Sequence, residues 1–263
     1  MADGDQEKLE YGFSDQELRD LESVYKKDLF SAKNVIVSGA GSGLGKAIAT
    51  LFARLGANLI ICGRNEQKLS DAGSYFRSFG GEVSTHPLTI RDPDAVDKFM
   101  DDAWSAFGHV DLLINNAGGQ FAQPAINFKP KGWRAVIDTN LNGTWYMIQA
   151  AARRWIEVKA PGNIVNIVAD IWRGMPGIAH TAAARAGVIY LTKSIAVEWA
   201  PNNIRINCVA PGCCETTAFS LYPPKGAATY QEANPMLTAG DAWDFAQACV
   251  YLADFSQRGL GIP

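Results

Sequence analysis

Val35-Ile36-Val37-Ser38-Gly39-Ala40-Gly41-Ser42-Gly43-Leu44-Gly45-Lys46-Ala47-Ile48-Ala49 is the stretch that decides the fold of this chain. Its β-branched start suits a buried strand, its spaced glycines let the backbone turn tightly, and its end opens a helix. Such glycines admit a pyrophosphate close to the backbone, where the helix start offers free amides and the positive end of its dipole. A second apolar run, Asn58-Leu59-Ile60-Ile61, leads into Cys62-Gly63-Arg64 and completes the context that a dinucleotide site requires. An acidic side chain at that end would accept from the ribose 2′-hydroxyl of NAD. Arg64 instead presents a guanidinium fork suited to a 2′-phosphate, so NADP(H) is the expected cofactor.

The same alternation continues outward. Val83, Leu112-Leu113-Ile114, Ile164-Val165-Asn166-Ile167 and Ile204-Arg205-Ile206-Asn207-Cys208-Val209 suit strands buried on both faces, with helical stretches at Gly45 to Leu55, Ala95 to Phe107 and Ala182 to Trp199. Regular alternation of strand and helix predicts an α/β fold with a parallel, doubly wound sheet flanked by helices, its ligands at the carboxyl ends of the strands. Residues 1–30 form a helical extension before a dinucleotide-binding catalytic domain at 31–263. In it Ser14-Asp15-Gln16-Glu17 reads as a capping box, and Leu18, Leu21, Val24 and Tyr25 are expected on one face of a short amphipathic helix packed on the body or on a neighbouring subunit.

Composition bounds the function. The 263 residues, 48% hydrophobic, suffice for one large core and are too apolar for a disordered chain. A formal net charge of −3, with no cluster of Lys or Arg, gives no electrostatic basis for nucleic acid or a membrane surface, so a small-molecule partner is expected. Five cysteines, Cys62, Cys208, Cys213, Cys214 and Cys249, are an odd number without metal-ligand spacing. A reducing, cytoplasmic setting follows, with the vicinal Cys213-Cys214 pair open to a redox role or to plain packing. Neither a membrane-spanning run nor an export signal is visible.

Gly39, Gly43 and Gly45, Asn115-Asn116-Ala117-Gly118, Asn140 in Thr139-Asn140-Leu141-Asn142-Gly143, and Pro211-Gly212 together resemble the short-chain dehydrogenase/reductase family from about Asn34 to Glu215. The resemblance implies a single-domain Rossmann-type sheet, a nicotinamide cofactor and a homodimer or homotetramer. It also implies that Ser42, Gly43 and Leu44 face the pyrophosphate and Thr89 and Ile90 the adenine. Asn116, Ala117 and Gly118 would pass beneath the ribose, and the loop from Pro211 and Gly212 through Cys214 to Thr216 would hold the carboxamide.

The chain departs from the family's Ser and Tyr-x-x-x-Lys. Thr181 falls at the tyrosine position, Arg185 at the lysine position, and Val168 or Ala169 at the serine position, so that only Asn140 of the usual tetrad survives. A threonine hydroxyl donates a hydrogen bond but is a far poorer acid than a phenol, and a guanidinium anchors charge without relaying a proton. Arg185 is therefore expected to grip the nicotinamide ribose. His180 could supply a proton or be a structural histidine at a helix start; Asp170 could act as base, orient His180 or pair with Arg173. Trp172, Met175 and Ile178 suit an apolar pocket wall, while Tyr190 and Lys193 are spaced for packing.

Two subgroups share these departures. Peroxisomal-type trans-2-enoyl-CoA reductases are similar in Asn115 to Phe121, in Lys131-Gly132-Trp133 and around Arg185. Citronellol/citronellal dehydrogenase-like proteins are similar across Ala169-Asp170-Ile171-Trp172 and Gly174-Met175-Pro176-Gly177. The resemblance implies hydride transfer to or from an apolar substrate, foremost reduction of an activated double bond such as a trans-2-enoyl thioester. The alternatives are an oxidoreductase of an apolar, terpenoid-like alcohol and a non-catalytic NADP-binding member. The segment Phe219 to Met236 is expected to cover the pocket and carries no basic cluster for coenzyme A. After Asp241 to Leu252 the chain ends without the family's last strand, so either the sequence is truncated or the sheet edge differs.

Overall fold

In the computed structural model, residues 11–217 and 234–254 are described. Six parallel strands, β1 (Asn34–Ser38), β2 (Asn58–Gly63), β3 (Val83–Pro87), β4 (Leu112–Asn115), β5 (Gly162–Ile167) and β6 (Ile204–Val209), form one sheet in the order β3-β2-β1-β4-β5-β6. Helices α2 (Gly43–Arg54), α3 (Glu66–Arg77), α4 (Pro93–Phe107), α5 (Pro130–Ile137), α6 (Gly143–Glu157), α7 (Ala179–Trp199) and α8 (Ala242–Ala253) accompany it.

Period-two alternation sends each strand's side chains to two cores. Val35, Val37, Leu59, Ile61, Leu112 and Ile114 pack with α2, α3 and α8, while Ile36, Ile60, Leu113, Ile164 and Ile206 pack with α4, α6 and α7. This explains the unbroken apolar runs: a strand covered on both faces has no polar side. The strand order reverses between β1, which pairs with β2 on one side, and β4 on the other. Loops leaving those two strands diverge and open the crevice where ligands bind in such sheets.

The capping box forms, but α1 spans only Asp15–Asp20. Leu18 is buried, whereas Val24 lies beyond the helix and is exposed, so the longer amphipathic face is not built. The extension packs on the body: the Arg54 guanidinium donates to the Leu18 carbonyl at 2.9 Å and the Trp243 indole to the Glu22 carbonyl at 2.7 Å. At the far end, Asn163 and Arg205 donate to the Leu252 carbonyl and fix the end of α8 against β5 and β6. Of the expected cover from Phe219 to Met236, residues 219–233 lie outside the described residues, as does the chain from 255 onward, while Met236 is exposed. Among the described residues no helix is long and apolar enough to cross a membrane.

Candidate active site

The glycine loop after β1 is shaped by what its residues lack. A Cβ at Gly45 would lie 2.3 Å from the Gly39 carbonyl oxygen and 2.4 Å from Asn116 Nδ2, so helix and turn meet only because no side chain intervenes. Gly39 and Gly43 have φ of +71° and +55°. Ser38 Oγ accepts the amides of Asn116 at 3.1 Å and Ala117 at 3.0 Å, and Asn116 Nδ2 donates back to the Ser38 carbonyl at 3.0 Å, locking together the loops that leave β1 and β4. Ser42 is the N-cap of α2, yet its side chain makes no capping bond, which leaves the first amides to a ligand.

The resulting cleft measures about 420 Å³ and is lined by Gly39, Ser42, Gly43, Leu44, Gly45, Arg64, Thr89, Ile90, Asn116, Ala117, Gly118 and Thr216 among others. The cleft thus brings together twelve of the sequence-expected cofactor residues. It does not reach Pro211, Gly212, Cys214 or Arg185. Pro211 accepts the Asp170 amide, and Cys214 pairs with Gly240 in a two-residue ribbon, β7 (Cys214–Glu215) with β8 (Gly240–Asp241). Lys68, which the sequence did not single out, also lines the cleft; its stem lies 3.2 Å from where a Gly41 Cβ would sit. It stands in the first turn of α3, four residues beyond Arg64, and neither side chain has an ion-pair partner among the described residues. No carboxylate lines the cleft in the described chain.

Beyond Gly118 lies the start of α7. Arg185 is 9% exposed, its Nη1 donating to the Ile167 carbonyl at 2.7 Å, and a Cβ on Gly118 would come 2.3 Å from its Nη2. Burial holds this guanidinium down at about 10, against a small opposing effect of the neighbouring Cys208. No carboxylate pairs with it among the described residues. Thr181, one turn earlier on the same face, is buried with its hydroxyl unpartnered. His180 is fully buried, with Phe121 and Phe128 centroids 4.6 and 4.4 Å from its ring. Its Nδ1 accepts the Thr181 amide at 2.7 Å, and its Nε2 has no hydrogen-bond partner among the described residues.

Three expectations change here. Burial lowers the His180 pKa, against an opposing hydrogen bond to the Ile178 backbone, and so favours the neutral ring. Asp170 is exposed, accepts the Trp172 amide at 3.3 Å, and makes no bond to His180 or Arg173. A short polar turn after β5 satisfies its carboxylate locally before it can reach α7. Trp172 is 91% exposed and is no pocket wall, whereas Ile178 is buried.

Asn140 is buried in a π-turn (Asp138–Asn142). Its Oδ1 accepts the Gly119 amide at 2.9 Å and its Nδ2 donates to the Gly119 carbonyl at 3.0 Å, so the side chain holds the β4 loop in place. The Cys214 thiol is pushed up to about 12 by burial and nearby Asp241, which leaves it an unreactive thiol. Tyr190 is exposed, with the Lys193 ammonium 4.9 Å over its ring. Lys129, Lys131 and Arg134 are exposed without ion pairs around the aromatic wall of Phe128 and Trp133. The sequence showed these cations only as scattered residues, since nothing local tells that Phe128 meets His180.

A family model described as short chain dehydrogenase matches residues 33–224. A probable 2,4-dienoyl-CoA reductase, (2E)-enoyl-CoA-producing, of Bacillus subtilis is 43% identical over 187 residues, covering 70% of this chain and 74% of that protein. The peroxisomal 2,4-dienoyl-CoA reductase, (3E)-enoyl-CoA-producing, of Arabidopsis thaliana is 31% identical over 249 residues, covering 89% and 82%. Among solved structures, the citronellol catabolism dehydrogenase AtuB of Pseudomonas aeruginosa PAO1 superposes with a TM-score of 0.79 at 33% identity, covering 90% and 93%.

Proposed function

The chain belongs to the short-chain dehydrogenase family of oxidoreductases, and on that premise we propose that it is an NADP(H)-dependent reductase of a conjugated double bond in an apolar acyl thioester. The observation that carries this reading is the start of α7, which lies beyond Gly118 at the end of the cleft. Among the described residues it presents two buried polar atoms without hydrogen-bond partners, His180 Nε2 and Thr181 Oγ1, one turn from the Arg185 guanidinium, which has no carboxylate partner there. Buried donors without partners cost about 1–3 kcal/mol each, which a ligand oxygen would relieve.

The glycine cradle, the uncapped start of α2 and the cationic pair Arg64 and Lys68 fit an NADP(H) molecule. When bound, this cofactor supplies the hydride that adds to the electron-poor carbon of the substrate. Negative charge then grows on the thioester oxygen. His180 Nε2–H and the Thr181 hydroxyl would donate hydrogen bonds to it, and Arg185 supplies positive potential in a site shielded from water. Water delivers the proton that completes the saturated carbon. Reduction of a double bond needs hydrogen-bond donors for an enolate rather than a strong acid, which is what this chain retains. Phe121 and Phe128 offer an apolar wall, and Lys129, Lys131 and Arg134 on its rim offer charge to the phosphates of coenzyme A.

The test supplies NADPH with a medium-chain trans-2-enoyl-CoA, a 2,4-dienoyl-CoA, or citronellal, in parallel with no substrate. Oxidation of NADPH with the thioesters is expected. Turnover of citronellal alone would overturn the reading in favour of an apolar alcohol/carbonyl oxidoreductase, the second reading, which the likeness to AtuB favours. Cofactor binding without turnover on a broader panel would instead mark a non-catalytic member.

A further inference from the structure

The extension before β1 packs against residues that line the cofactor cleft. Gly12 has a φ of +81°, and a Cβ there would lie 3.0 Å from the Thr217 amide nitrogen and 3.4 Å from the Thr216 carbonyl carbon. Thr216, Thr217 and Gly43 all line the cleft. Gly12 and Phe13 close against Gly43, Lys46, Thr216 and Thr217 around a residual gap of about 20 Å³. One turn further, Asp15 forms an ion pair with Lys46, in the first turn of α2. The Tyr75 hydroxyl of α3 donates to the Asp15 carbonyl at 2.8 Å, and the Lys46 ammonium lies 5.0 Å over the Tyr75 ring. The segment is therefore fastened to both helices that follow the first two strands, and its tip bears on the loop that follows β6.

We propose that Gly12 to Asp15 is a positioning strap, which holds Thr216 and Thr217 against the pyrophosphate helix and so raises cofactor affinity. The proposal rests on the dinucleotide reading of the cleft. Thr216 and Thr217 must be held in place before they can meet a ligand, and holding them in advance lowers the cost of binding. Gly12 is suited to the contact on two counts, since its φ is unfavourable for other residues and its missing Cβ admits the Thr217 amide. Coupling between two sites is reciprocal: a strap that tightens cofactor binding by some factor is itself stabilised by bound cofactor by that factor.

The test compares full-length wild type with Gly12→Val and Asp15→Asn. NADPH affinity is measured by titration calorimetry, apo stability by thermal unfolding, and the amides of residues 12–17 by hydrogen exchange with and without NADPH. Gly12→Val is expected to raise Kd for NADPH about tenfold and Asp15→Asn about threefold, with kcat at saturating cofactor unchanged. In the wild type, NADPH should slow exchange at residues 12–17 by a similar factor. Lowered Tm with unchanged Kd in both variants, or no protection of these amides by NADPH, overturns the strap and leaves the cleft assignment standing. Failure of the wild type to bind NADPH or NADH overturns the cleft assignment and the strap with it.

Discussion

Replacing Arg185 by Met should stabilise the protein without cofactor while abolishing turnover. The guanidinium is buried, makes one backbone hydrogen bond, to Ile167, and has no carboxylate partner in the described chain. Burial brings its pKa down to about 10, which at 1.36 kcal/mol per pKa unit is a penalty of roughly 3 kcal/mol for the charged form. The folded chain binds this proton less tightly than the unfolded chain, so the penalty is relieved only as pH climbs above about 10. It is fully present at pH 7. Methionine is an unbranched apolar side chain that adapts to an irregular site. Leaving the Ile167 carbonyl without its donor costs about 1 kcal/mol, for a net gain of roughly 2 kcal/mol. For a chain of this size that is a rise in Tm of about 4–8 °C. Differential scanning calorimetry of the cofactor-free protein at pH 7 reads it, beside the rate of NADPH oxidation with an enoyl thioester, expected to fall at least ~100-fold. A fall in Tm, or unchanged turnover, would refute the view of Arg185 as a charge kept in the core for its ligand.

Arg64→Asp should move cofactor preference from NADPH towards NADH by roughly 10–100-fold in kcat/KM, since it replaces a phosphate-binding fork by a carboxylate suited to the 2′-hydroxyl. His180→Phe keeps the aromatic packing with Phe121 and Phe128 but removes the free Nε2–H, and kcat should fall about 100-fold with little change in KM for NADPH. Because burial lowers the His180 pKa, its contribution to stability is present above the unfolded value of 6.5 and is lost as pH falls towards the folded value; His180→Phe should flatten the acid side of the Tm–pH profile. Gly45→Ala places a methyl within 2.4 Å of the Gly39 carbonyl oxygen and Asn116 Nδ2. It should cost ~1–3 kcal/mol of stability by chemical denaturation and more than tenfold in NADPH affinity.

The dinucleotide cleft was legible because it is local chemistry. Gly39, Gly43 and Gly45 sit within seven residues at the join of a strand and a helix, and Asn116 follows β4, six elements after β1 in the chain and its neighbour in the sheet. Lys68 was overlooked for lack of a motif, although its helical spacing from Arg64 was a signal that the pair could share a face. Asp170 misled because sequence shows a carboxylate near a catalytic strand but not the Trp172 amide that occupies it.

By itself the sequence determined the alternation of strands and helices, the parallel sheet and the glycine turn, each of which depends on residues close together in the chain. The resemblance it carries adds the expectation that Thr181 and Arg185 stand where a phenol and an ammonium are usual. The tertiary structure decided the burial of His180, the isolation of Arg185, the closing of Asn140 on Gly119 and the seating of Gly12 against Thr217. These are long-range facts. The energy of a charge or a hydrogen-bond donor is set by what surrounds it, and only folding brings Gly118 against Arg185 and Gly12 against Thr217.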